Sequence, residues 1–123
     1  LTFSPRKLLD TIVKAAENKK AYDAIILDIS RLSIIADYFV IFSGRSVTHV
    51  QAIAEEIIEE VARSHGLVPR QEGLRGGQWV LLDYGDVVVH VFREQERQFY
   101  NLERLWGNAR VQTVDKRASL SYN

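Results

Sequence analysis

"WVLLDYGDVVVHVF", residues 79–92, decides how this chain folds. Two apolar runs, "WVLLDY" and "VVVHVF", flank Gly85 and Asp86. A connection that tight joins two antiparallel strands into a hairpin. Alternation along the second strand puts His90 on the same face as Val88 and Phe92. The stretch is mostly apolar, yet it carries Asp83, Tyr84, Asp86 and His90. Those residues form a catalytic set, a metal site, or the polar tips of a surface that grips another protein.

Working outward, "YFVIFSG", Tyr38 to Gly44, is apolar on both faces and predicts a strand in mid-sheet with layers above and below. "DAIILDI", Asp23 to Ile29, is short and β-branched, bounded by polar residues, and predicts another strand. Residues 67–73, "LVPRQEG", form a weaker strand, and Pro69 confines it to an edge or an irregular start. Between these lies a helix capped by Ser46. Val50, Ile53, Ala54, Ile57, Ile58, Val61 and Ala62 make its apolar face, and His65-Gly66 closes it. An N-terminal helix opens at Ser4-Pro5, buries Leu8, Leu9, Ile12, Val13 and Ala16, and fades by residues 18–20.

After Phe92 the period changes. Phe99, Leu102, Leu105 and Trp106 sit at helical spacing within "EQERQFYNLERLW". Beyond Gly107 periodicity is weak, so residues 107–123 are expected to be a mobile or partner-dependent extension. The order predicts one α/β domain over residues 1–106, a mixed sheet of about five strands flanked by helices.

The chain's 123 residues suit one domain with a real core, since at this size about two thirds of the unfolded surface can be buried. Sixteen basic and sixteen acidic residues cancel, which disfavours phosphate contacts or an anionic membrane as the main partner. There are no cysteines, so disulfides, thiolate catalysis and cysteine-ligated zinc are excluded. No apolar run approaches the roughly 20 residues that span a bilayer. The chain opens on Leu1 and not on methionine, which is compatible with a trimmed start.

Each candidate site has a plainer explanation beside it. Asp83 and Asp86 form a carboxylate pair of the kind that holds a divalent cation, but turns favour aspartate for backbone reasons alone. His90 as a general base needs an orienting acid and a nucleophile, and no serine elbow or cysteine supplies one. The alternative is a half-buried histidine with a backbone or carboxylate partner. His49 and His65 are expected on the surface of the second helix. "SGRS", residues 43–46, leads from strand to helix and resembles the Gly-Ser turn of nucleotidyltransferases. That chemistry needs two close acids on a following strand, whereas a helix bearing Glu55 and Glu56 follows here. Trp79, Tyr84, Phe99, Tyr100 and Trp106 fit core packing or a protein interface equally well, and Asp83, Asp86 and Glu103 beside them suit a basic partner.

The segments "LDISRLSIIADYFVIFSG", "VTHVQAIAEEI", "QEGLRGGQWVLLDYGDVVVHVF" and "RQFYNLERLWGNA" together resemble the ribosomal silencing factor, or Iojap, family. The resemblance runs from about Ser4 to Trp106. It implies an α/β fold similar to nucleotidyltransferases but without transferase activity, hence no catalytic residue, metal or cofactor. It implies a translational repressor that binds the large ribosomal subunit through large-subunit ribosomal protein fourteen and blocks joining of the small subunit, above all when nutrients are short. The family positions expected to meet the partner are Asp37, Tyr38, Trp79, Asp83, Tyr84, Asp86, His90, Tyr100, Glu103 and Trp106, with Gly85 and Arg97 among the motif residues. Expected too are a bacterial cytoplasmic location, since no transit segment is visible, no membrane, little direct nucleic-acid contact, and a homodimer off the ribosome as an option. The rival reading is a metal-dependent nucleotidyltransferase-like enzyme.

Overall fold

The computed structural model describes residues 4–32, 34, 36–100 and 110–113. Helix α1 (Pro5–Asn18) begins with proline at its first position, where a missing N–H costs nothing. Ser4 holds the cap position in an extended conformation, but its hydroxyl makes no capping bond. Leu8, Leu9, Ile12, Val13 and Ala16 are all buried, as their spacing predicts.

Strand β1 (Tyr22–Asp28) runs antiparallel to β2 (Tyr38–Gly44), and helix α2 (Val47–His65) follows at once. The Ser46 hydroxyl accepts the His49 N–H at 3.2 Å, and Gly66 ends the helix in the left-handed region at φ 67°. Strands β3 (Arg70–Glu72), β4 (Trp79–Asp83) and β5 (Val87–Arg93) follow, then α3 (Glu94–Tyr100) and β6 (Arg110–Thr113). The sheet order is β3-β4-β5-β2-β1-β6. Only the central β2–β5 pair is parallel; the other pairings are antiparallel. The predicted hairpin is β4–β5, and β3, preceded by Pro69, is an edge strand as expected.

Among the described residues the mixed sheet has six strands, where the sequence suggested about five. The sixth, β6, comes from the extension that lacked periodicity and pairs Arg110–Thr113 with Ile25–Asp28 of β1. An edge strand of four residues needs only backbone N–H and C=O groups, so no side-chain pattern announces it. The rest of that extension lies outside the described residues, as do Leu102, Glu103, Leu105 and Trp106 of the helical stretch before it.

Two apolar clusters flank the sheet. The larger packs Leu8, Leu9 and Ile12 of α1 and Val50, Ile53 and Ile57 of α2 onto one face, against residues including Val40, Val80, Val87, Val89 and Val91. Burying each such side chain contributes about 1.5–3 kcal/mol, so this layer supplies most of the folding drive. The opposite face carries Leu27, Ile29, Ile41, Val88 and Phe92, with Phe39, Trp79 and Leu81 partly buried against them. Burial on both faces makes β5 buried from Val87 to Phe92, which explains its near-continuous apolar run.

Candidate functional site

The expected partner-binding residues form two groups, set apart by strand alternation. The first occupies one end of the sheet. Within the β4–β5 hairpin the Tyr84 N–H donates to the Val87 carbonyl at 2.9 Å, and Gly85 takes φ 90°. A positive φ at this turn position matches the twist of the flanking strands and is open to glycine without a steric cost. The Asp83 carboxylate accepts the Gly85 N–H at 2.8 Å, so its role in shaping the turn is direct. The Asp86 carbonyl then accepts two N–H groups, from Asp37 at 2.8 Å and from Tyr38 at 3.0 Å. Asp37 in turn accepts the Ile29 N–H on its own carbonyl at 2.8 Å. Backbone bonds thus bring Asp37 and Asp86 together, although 49 positions separate them, counting 86 less 37.

Asp28, at the end of β1, joins the same rim and accepts the Ser30 N–H and hydroxyl at 3.1 and 2.7 Å. Asp86 is exposed, while Asp28, Asp37 and Asp83 are half-buried. Among the described residues no three His, Asp or Glu side chains are grouped as a metal ion requires. The rim is therefore a spread of negative charge across four strands, not a chelating cage.

The rings do not form one surface. Tyr38 and Tyr84 turn toward the helix-covered face and pack against the large cluster. The Tyr84 hydroxyl is buried with no partner among the described residues, and burial pushes its pKa up. Trp79 and His90 lie on the other face, with Phe39 and Phe92. Trp79 stacks on Phe92 with ring centres 4.8 Å apart, and the Phe39 ring meets His90 at the same distance. Tyr100 is the last residue of α3, while Glu103 and Trp106 lie outside the described residues.

His90 differs from its expected form. It is 4 % exposed, fully buried and not half-buried. Its partner is neither a backbone group nor a carboxylate: the Trp79 indole N–H donates to Nδ1 at 3.1 Å. Accepting at Nδ1 puts the ring proton on Nε2, which is buried without a partner. Burial pushes the pKa down to about 4, so the ring is neutral at pH 7. With one nitrogen occupied and the other protonated, the ring has no free lone pair with which to abstract a proton.

The other two histidines are also structural ties, where plain surface positions were expected. His49 Nδ1 accepts the Arg45 N–H at 2.9 Å and its Nε2–H donates to the Lys19 carbonyl at 2.6 Å. His65 Nε2 lies 2.8 Å from the Thr11 hydroxyl, so each ring bridges the α2 region to the α1 region. In "SGRS" the Ser46 hydroxyl caps α2, while Ser43 is buried and accepts from Arg97 Nη1 at 2.8 Å. Phe39, Phe92 and Arg97 were not among the expected contact residues. The alternation of "YFVIF" and "VVVHVF" carried the signal for the first two; Arg97 carried none beyond its place in a motif.

A family model described as "Ribosomal silencing factor during starvation" matches residues 2–122. The ribosomal silencing factor RsfS of Halalkalibacterium halodurans is 48% identical over 107 residues, which cover 86% of this chain and 91% of that protein. The RsfS of Bacillus subtilis is 44% identical over 110 residues, covering 89% and 93%. The crystal structure of a Chromobacterium violaceum protein superposes with a TM-score of 0.83 at 32% identity, covering 85% of this chain and 88% of that one.

Proposed function

This chain belongs to the ribosomal silencing factor family, and we propose that it represses translation by docking on large-subunit ribosomal protein fourteen and obstructing the small subunit. The observation that carries this reading is the acidic rim: Asp28, Asp37, Asp83 and Asp86 share one sheet end, held by backbone bonds that need no ligand. Ribosomal proteins are commonly basic, and a rim of fixed acids steers association with a cationic surface without drawing the protein onto RNA. Obstruction requires volume at the right place, and an interface of about 800 Å² per partner is sufficient to seat it. No bond is made or broken in this mechanism, so the protein acts as a repressor and not as an enzyme. A neutral, buried His90 fits that role.

The residues we assign to the contact are Asp37, Asp83 and Asp86 on the rim, together with Trp79 and Tyr100 from the other end of β4 and from α3. Tyr38, Tyr84 and His90 shape this surface from within. The site of action is the bacterial cytoplasm, where the large subunit is met. Sedimentation with purified subunits tests the proposal. The protein should travel with the large subunit and lower the yield of joined ribosomes. Failure to travel with it, or unchanged joining at saturation, refutes the reading. Self-association through the same surface should compete, and would appear as weaker binding at high protein concentration.

A further inference from the structure

Helix α3 follows β5 without a loop, Arg93 ending the strand and Glu94 opening the helix. Its four described side chains, Glu94, Gln95, Glu96 and Arg97, are all polar or charged. No apolar stripe among them presses the helix onto the sheet. Among the described side chains, polar bonds tie it to the sheet. Arg93 pairs with Glu96 through two contacts of 2.7 and 2.9 Å, tying the first helical turn to the strand end. The Tyr22 hydroxyl donates to Glu94 at 3.0 Å. Arg97 Nη1 donates to both the Asp23 carbonyl and the Ser43 hydroxyl.

Both acceptors of Arg97 exist for a reason in the sheet. Tyr22 pairs with Ser43 and Ile25 with Ile41, so three steps along β1 match two along β2. The extra residue is a β-bulge, which bends the strand and leaves backbone groups outside the ladder. Asp23 in this bulge has φ 51°, a conformation that non-glycine residues seldom adopt and that surrounding contacts must maintain. Ser43 is 1% exposed, and a buried hydroxyl needs a partner. A guanidinium answers both needs with charge-assisted bonds, roughly twice as strong as neutral ones.

We propose that Arg97 is a positioning residue: by clasping the Asp23 carbonyl and the buried Ser43 hydroxyl it sets the direction of α3, and hence the place to which Tyr100 is carried. The proposal rests on the reading above in one respect, that Tyr100 contributes to large-subunit binding. The clasp is separable from the fold, because among the described residues the large cluster is built by α1, α2 and the sheet.

Three variants test it: Arg97→Met, Arg97→Lys and Ser43→Ala, each read by amide hydrogen exchange and by co-sedimentation with isolated large subunits. Arg97→Met should speed exchange across α3 by about tenfold while β2, β5 and α2 keep their protection. The same variant should weaken large-subunit association by about tenfold. Arg97→Lys should restore part of both, and Ser43→Ala should lose about threefold in each, since one acceptor remains. Unchanged α3 exchange in Arg97→Met overturns the clasp. Faster α3 exchange with unaltered association overturns the positioning role and leaves the proposed function standing. A wild-type protein that never sediments with the large subunit defeats the proposed function itself, a result distinct from either. Should Arg97→Met lose protection everywhere, the Lys and Ala variants decide on the same two readouts.

Discussion

The two faces of the sheet are built from different materials. The face under α1 and α2 is mostly aliphatic: Val40, Val80, Leu82, Val87, Val89 and Val91 meet Leu8, Ile12, Val50, Ile53 and Ile57, with Phe42 among them and Tyr38 and Tyr84 at the margin. The opposite face holds rings and buried polar atoms: Phe39, Trp79, His90, Phe92 and Ser43. An aliphatic layer needs mainly volume and shape, and the buried Tyr84 hydroxyl at its margin is the polar exception. The ring face depends on named pairings, Trp79 with His90 and Arg97 with Ser43, and one atom of His90 goes without. The first face sets how stable the domain is; the second is sensitive to pH and to single-atom changes.

Breaking the aliphatic face should cost most. Ile57→Ala leaves a cavity between α2 and the sheet, and should lower unfolding free energy by about 2–5 kcal/mol in urea titrations. Large-subunit binding by the remaining folded fraction should not change.

The ring face should respond next, through pH. His90 is held down to about 4 when folded and titrates near its ordinary value when unfolded. Between those values the unfolded chain binds the extra proton. Stability should therefore be complete above about pH 6.5, fall as pH drops, and level off below about pH 4, a loss of about 3 kcal/mol. Denaturation curves from pH 4 to 8 measure it, and His90→Leu should flatten the slope in that window. A slope that survives in the variant assigns it elsewhere.

A smaller effect belongs to the indole bond. Trp79→Phe keeps a ring against Phe92 but leaves His90 Nδ1 without its donor, which should cost about 1 kcal/mol at neutral pH. The smallest effect on stability is expected on the rim. Asp86→Arg alters an exposed side chain whose carbonyl, not carboxylate, makes the structural bonds. Unfolding should shift by less than about 0.5 kcal/mol. Association with the large subunit should nevertheless fall by about tenfold, since the reversal sets like charges face to face. Unchanged association would remove the rim from the contact surface.

Local chemistry was legible in advance. Helix α2 follows from its apolar period, the Ser46 cap and the Gly66 end. The β4–β5 hairpin follows from two strand-like runs around Gly85, and the mid-sheet place of β2 from its two apolar faces. At the site, the turn-forming role of Asp83 was readable because its carboxylate bonds two residues away. The meeting of Asp37 with Asp86 was not, because it depends on the parallel register of β2 and β5, and no local pattern encodes a pairing between distant strands. Strand β6 escaped for a related reason, since it is recruited by the free edge of β1.

Residue order was enough to say which segments are helical or extended, which side chains avoid water, and which family the chain resembles. Those properties arise from interactions over a few residues, where period and turn chemistry act directly. Tertiary structure alone decided which clusters Trp79 and Tyr84 join, that His90 is bound by an indole, and that a bulge at Asp23 meets Arg97. Each of these depends on contacts between separate strands or helices. Its partner is chosen by how the whole sheet packs, because burial and hydrogen bonding must be satisfied everywhere at once.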